Sequence, residues 1–154
     1  MPEKKKQLQS VLTAFWDTSA IVPLCCFQKT SSKARQIART YGKQVVWWTT
    51  PIEAISALNR LMREGHISSQ ESAQSYARLE YLRDRWSEIQ PTDLLREQAE
   101  RLLRMHKLRA ADALQLAAAL TWCSNSPRKH AFIAADIILL EAAQIEGFSV
   151  LELS

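Results

Sequence analysis

Asp17, Glu53, Asp112 and Asp136 are the side chains whose type and placing in this sequence suit chemistry. Asp17 directly follows an uncharged apolar run at 11–16, and Glu53 falls in the first turn of a helix opened by Thr50 and Pro51. Asp112 lies in the first turn of an Ala- and Leu-rich helix over 109–123, and Asp136 directly follows a short apolar run at 131–135. In a parallel sheet the C-terminal ends of the strands and the N-termini of the following helices share one edge. Ligands of open α/β sheets gather there, so all four acids can face one crevice. Carboxylates gathered this way repel one another unless a cation lies between them. Hard divalent ions such as Mg²⁺ and Mn²⁺ take carboxylate oxygens together with water and phosphate.

Each acid taken alone also has a simpler explanation. Glu53 completes a Thr50-x-x-Glu53 capping box. Asp17 and Asp136 suit Asx turns or N-caps for the helices that follow. Asp112 sits among Ala110, Ala111, Ala113 and Leu114, and a carboxylate buried there must be paired, neutralised or bound to a metal; Arg109, one turn earlier, is the candidate partner.

The charge balance favours the joint reading. The chain carries +4, and removing the four acids from 16 Asp and Glu leaves 12 against 20 Lys and Arg, a balance of +8. An acidic crevice in a basic body suits a metal-bearing site that receives a polyanion. Lys107 and Arg109, with Arg104 and His106, lie just before Asp112, and Arg128, with Lys129 and His130, lies before the run leading to Asp136. These are candidate phosphate contacts. The competing account is that Arg104 and Lys107 complement a helix C-terminus while the rest are solvated loop residues.

The elements that must position these groups alternate strand and helix. Residues 11–16 read as a strand covered on both faces. Residues 20–27 form a short helix kinked or begun near Pro23, 31–41 a second helix stopped by Gly42, and 44–48 the next buried strand. Thr50 caps a helix that ends at Gly65, and Ser68-x-x-Glu71 is a capping box for another that runs to about Trp86. A weak strand at 87–90 precedes a helix over 93–106, whose wet side carries the i,i+4 pairs Glu97–Arg101 and Glu100–Arg104. After the apolar helix come a strand at 131–135, a helix at 137–146 closed by Gly147, and a last strand at 149–153. The three glycines all stand at helix ends and read as C-caps. Such an order predicts an α/β fold: a three-layer α/β/α sandwich with a central parallel sheet, one domain over 11–154 after a flexible lead-in at 1–10.

Several function classes drop out. No Gly-x-Gly-x-x-Gly, Walker or Gly-x-Ser-x-Gly motif is present, and His66, His106 and His130 have no zinc-site spacing. Cys25, Cys26 and Cys123 form no Cys-x-x-Cys pair and read as free, buried thiols. Trp16, Trp47 and Trp48 read as core residues. No apolar run reaches the ~20 residues of a membrane span, and Lys4–Lys6 open no signal peptide, so the expected location is cytoplasmic.

Phe-Trp-Asp17-Thr18-Ser19-Ala20, Glu53 within Thr-Pro-Ile-Glu-Ala-Ile, Leu-Arg-Ala-Ala-Asp112-Ala-Leu-Gln-Leu-Ala, and Phe-Ile-Ala-Ala-Asp136 together resemble the PIN domain, especially VapC-type toxin ribonucleases. The resemblance covers essentially the whole chain in the right order. It implies a Mg²⁺- or Mn²⁺-dependent ribonuclease that cuts single-stranded RNA and leaves a 5′-phosphate, often a homodimer, inhibited by a small antitoxin protein. Asp17, Glu53, Asp112 and Asp136 would form the acidic metal site, with Thr18 and Ser19 beside it offering N–H or hydroxyl groups to the substrate. The family commonly has Thr or Ser two residues before the last acid, where this chain has Ala134. That departure keeps a rival reading open: a module that retains the pocket and binds RNA or a protein without cleaving.

Overall fold

The computed structural model describes residues 11–153, so the lead-in expected at 1–10 lies outside the described residues. In chain order the elements are β1 (Thr13–Trp16), α1 (Thr18–Cys25), α2 (Ser31–Thr40), β2 (Lys43–Trp47), α3 (Thr50–Arg63), α4 (Ser69–Arg83), β3 (Ser87–Ile89), α5 (Asp93–Met105), α6 (Ala110–Trp122), β4 (Ala131–Ala134), α7 (Ile137–Glu146) and β5 (Ser149–Glu152). The strands make one parallel sheet in the order β3-β2-β1-β4-β5. The chain winds outward from β1 through β2 to β3, then returns to lay β4 on the other side of β1. The β1/β4 junction is thus the point where strand order reverses, and the C-terminal ends of those two strands flank the crevice.

Alternation along the strands feeds two separate cores. Phe15, Val45, Trp47, Phe132 and Ala134 face α5, α6 and α7, while Ala14, Trp16, Val46, Ala131 and Ile133 face the layer of α1 to α4. The three-layer sandwich read from the sequence is therefore the observed architecture. Phe15 and Phe132 stack across the β1/β4 pair with ring centroids 5.4 Å apart. Both are fully buried, and truncating either to alanine would cost about 3–5 kcal/mol.

Local readings differ from the sequence expectation where a tertiary partner intervenes. The first strand starts at Thr13, because Val11 and Leu12 lie half-exposed at the rim of the sheet. The helix expected from residue 20 starts at Thr18, since the Asp17 side chain caps it there. It carries Pro23 inside, where the missing N–H costs the helix one backbone hydrogen bond and the ring crowds the preceding turn. Gly65 and Gly147 do adopt positive φ at helix ends, but Gly42 does not. A side chain at Gly42 would stand 2.8 Å from Val11 Cγ1, so close approach explains that glycine. The capping box at Ser68 and Glu71 is formed as expected. Helix α4 ends at Arg83, short of Trp86, which is nonetheless buried. Trp48 lies beyond β2 and is 47% exposed, unlike Trp16 and Trp47. Cys25 and Cys123 are buried, Cys26 is half-buried, and all three are free. Among the described residues no helix is long and apolar enough to cross a membrane.

The i,i+4 pairs expected on α5 are not made among the described residues. Arg101 instead donates to Gln98 Oε1 (2.9 Å) and to Glu146 Oε1 (2.5 Å), while His106 Nε2 lies 2.9 Å from Glu146 Oε2. Glu146 wins because it is nearly buried and accepts from two partners at once, whereas Glu97 would offer an exposed pair worth little. Burial pushes the Glu146 carboxyl up, but the hydrogen bonds from Arg101 and His106 outweigh it and hold the group below its ordinary 4.5. A carboxyl depressed in the folded state stabilises the protein above its unfolded value, and that contribution is lost as pH falls through the folded value. Glu146→Gln should therefore lose about 1–2 kcal/mol in urea unfolding at pH 7, with Arg101's partial exposure discounted. The difference from wild type should shrink below pH 4.5; a gap that stays constant with pH would show that packing, not charge, anchors α7.

Candidate active site

Four different elements bring the four acids to one cleft. Asp17 ends β1 and caps α1 in an extended conformation; its Oδ2 accepts from Ser19 N at 3.1 Å and from Ser19 Oγ at 2.5 Å. The same Ser19 hydroxyl oxygen accepts from Ala135 N at 2.9 Å, so the turn after β1 is fastened to the end of β4. Asp136 caps α7, its Oδ1 accepting from Ile138 N at 2.9 Å and Leu139 N at 3.1 Å. The capping role proposed for Asp17 and Asp136 is thus real. It occupies one oxygen of each and leaves the other, among the described residues, without a protein donor.

Glu53 departs from its simple explanation. The cap of α3 is Thr49, one residue earlier than expected, and no capping box forms. Glu53 Oε1 accepts from Thr49 Oγ1 (3.0 Å), while Oε2 accepts from Thr18 Oγ1 (2.5 Å) and from Gln115 Nε2 (2.8 Å). Asp112, in the first turn of α6, is half-buried rather than buried, and among the described residues Arg109 makes no ion pair with it. The pairing offered as its alternative is therefore absent, because the Arg109 side chain is exposed.

All four carboxylates line a single cleft of about 710 Å³. Thr18, Ser19 and Gln115 contribute to its wall, and the exposed Arg60, Lys107 and Arg109 bring positive charge to it. The acids sense one another electrically. Burial pushes Asp17 up to about 6; the Ser19 hydrogen bonds oppose this, and the charges of Glu53 and Asp112 add to it. Burial likewise raises Asp112, followed by the Asp136 carboxylate; the Arg109 backbone N–H lowers it, and the opposing charges of Glu53 and Arg109 come after.

The donor set is all oxygen and anionic, which suits a hard divalent cation. Among the described residues no three or more His, Cys, Asp or Glu side chains close into a ready cage. An ion here would therefore complete its shell with water and substrate phosphate, the habit of Mg²⁺.

At two places the geometry departs from the sequence reading. Thr18 and Ser19 do lie at the cleft, but their hydroxyls are committed to Glu53 and Asp17, so they orient carboxylates rather than offer those hydroxyls outward. Arg128 does not line the cleft; it precedes β4, whose opposite end leads to Asp136, and so belongs to the far edge of the sheet. Two lining residues were passed over in the sequence, Gln115 and Arg60. The available signal was helical spacing: Gln115 is three residues after Asp112 and Arg60 seven after Glu53, each on the same helix face as its acid.

A family model for the PIN domain matches residues 14–125. The chain belongs to the PIN domain family. Asp17, Glu53 and Asp112 lie inside the matched span and Asp136 beyond it, where the fold brings it to the same cleft. Among solved structures, PAE2754 from Pyrobaculum aerophilum superposes with a TM-score of 0.62 at 16% identity, covering 92% of this chain and 91% of that one. FitAcB from Neisseria gonorrhoeae superposes with a TM-score of 0.62 at 14% identity, covering 92% of this chain and 98% of that one. At such identities the likeness is one of fold. No match to a curated protein sequence is found.

The raised Asp17 carboxyl gives a test, needing no substrate, of what burying this charge beside other acids costs the fold. A group raised in the folded state favours the fold while protonated, so stability falls as pH rises from 3.8 through about 6. The rise corresponds to at most about 3 kcal/mol. Asp17→Asn, which still caps, should melt several degrees above wild type at pH 7 in chelator, at about 2–4 °C per kcal/mol. The gap should close below pH 3.8. Equal melting temperatures at pH 7 would mean that holding Asp17 charged in this buried setting costs the fold nothing.

Proposed function

We propose that this PIN domain is a divalent-metal-dependent ribonuclease that hydrolyses phosphodiesters of single-stranded RNA, the toxin of a toxin–antitoxin pair. It would act in the cytoplasm as a homodimer held in check by a small antitoxin protein. The observation that carries the reading is the meeting of four carboxylates from four elements in one cleft that also bears Arg60, Lys107 and Arg109. Asp17, Glu53, Asp112 and Asp136 are the residues that would hold the ion. When bound, Mg²⁺ or Mn²⁺ supplies Lewis acidity, acidifying water and offsetting charge on the phosphate oxygens.

The chain's own side chains do the remaining work. Lys107 and Arg109 face the cleft from the connection between α5 and α6 and attract the RNA backbone, with Arg60 joining them from α3. Thr18 and Ser19 fix the directions of Glu53 and Asp17, so the acids meet the incoming phosphate already oriented. Arg128 is left out of this path.

One observation favours a second reading, a PIN module that binds RNA or a protein partner with little or no cleavage. Ala134 is fully buried and brings no hydroxyl to the end of β4. The hydroxyl found near that strand end belongs to Ser19, which reaches Ala135 N from the turn after β1. Ser19 thus supplies part of what Ala134 lacks, and the nuclease reading is the stronger.

Purified protein should cleave a single-stranded RNA in Mn²⁺ and not in chelator, and Asp17→Asn or Asp112→Asn should abolish cleavage while leaving the circular dichroism spectrum unchanged. RNA bound but uncut by wild type under both conditions would select the binding module. For the substrate path, Lys107→Ala and Arg109→Ala should each lower the salt slope of single-stranded RNA binding by about 0.7, with Arg128→Ala leaving it unaltered. A slope that responds to Arg128 and not to Lys107 would move the RNA to the other edge of the sheet.

A further inference from the structure

Gln115 is a buried polar side chain in a helix otherwise packed with Ala and Leu; it is 1% exposed. Its amide nitrogen lies 2.8 Å from Glu53 Oε2, 3.0 Å from Thr18 Oγ1 and 3.5 Å from Thr50 Oγ1. An amide nitrogen has two protons, and here Glu53 and Thr18 take them. Thr18 in turn donates to the same Glu53 oxygen, so the three side chains close a triangle that ties α6 to α1 and α3. The orientation of the amide is fixed: turned over, its carbonyl oxygen would face the Glu53 carboxylate at hydrogen-bond distance with no proton between them.

The other end of the side chain is the telling one. Gln115 Oε1 is buried and has no hydrogen-bond partner among the described residues. An unpartnered buried carbonyl weakens a fold, and a methionine of similar volume would fill the same space without that penalty. A glutamine chosen only for packing would be satisfied at both ends or replaced. The end that is satisfied faces Glu53.

We propose that Gln115 is a positioning residue of the acidic cleft, holding Glu53 by its Oε2 so that the electron pair left free on Oε1 is presented to a divalent cation. This rests on the metal-dependent reading above and adds to it a group that touches neither ion nor substrate. Partners of this kind around metal ligands set affinity by 10- to 100-fold in metal sites generally.

The test is Mn²⁺ affinity measured by calorimetry on the full chain, with no RNA present, for wild type, Gln115→Met and Gln115→Asn. Methionine keeps the volume and loses the donor; asparagine keeps the amide but is one methylene too short to reach Glu53. Both should bind Mn²⁺ about tenfold or more weakly, with a smaller rise in melting temperature on adding Mn²⁺, and Gln115→Met should keep a metal-free melting temperature close to wild type. Wild-type Mn²⁺ affinity in either folded variant would overturn the role of Gln115 while leaving the metal-dependent reading intact. Failure of the wild-type chain itself to bind Mn²⁺ would overturn both.

Discussion

Repulsion among like charges is the constraint on which the functional end of this molecule depends. A parallel sheet delivers every strand terminus and every following helix start to one edge; three of those junctions in this chain carry an acid, and the start of α6, which follows α5, brings the fourth to the same cleft. The fold tolerates the crowding by two means. The N-termini of α1, α3, α6 and α7 lie beside the acids, and the partial positive charge of helix ends offsets some of the repulsion. Hydroxyl and amide donors from Ser19, Thr18, Thr49 and Gln115 then fix where the oxygens point. Burial of Asp17 and Asp112, with the neighbouring carboxylates adding to it, leaves both with a raised affinity for protons.

Much of this was readable from residue types alone, because the informative features were local or periodic. Apolar runs of four or five residues between helical stripes determine a parallel sheet, and an acid after such a run has only one edge of that sheet to occupy. The PIN resemblance rested on short strings of that kind, and the family match and the topology agree with it. Less legible was everything decided by a partner distant in sequence. Glu53 looked like half of a capping box, yet its oxygens answer to Thr18 and Gln115, 35 and 62 residues away. Arg101 looked like the mate of Glu97, yet Glu146 claims it from 45 residues away. Arg128 looked equivalent to Lys107, since both are basic and precede an acid. Strand β4 intervenes between Arg128 and Asp136 and carries the chain from one edge of the sheet to the other.

The site also shows structural and chemical roles resting on the same atoms. Asp17 is at once the cap that starts α1 and a member of the acidic set, and Asp136 does the same for α7. Asparagine can replace an aspartate as a cap but not as a charge, which is why the two roles are separable by substitution even though the geometry merges them. Ser19, bonded to both Asp17 and the backbone of Ala135, couples the two caps across the β1/β4 junction.

The strand order has a consequence for where this chain can be cut. The family match stops at residue 125, before β4, yet β4 is the strand that flanks β1 on one side. A fragment ending there would turn the central strand into an open edge, with Phe15 stripped of Phe132 and the backbone amides of β1 left to recruit another chain. Such a fragment would be prone to self-association through that raw border. The last part of the sequence is no appendage to the matched region but supplies two of the sheet's five strands.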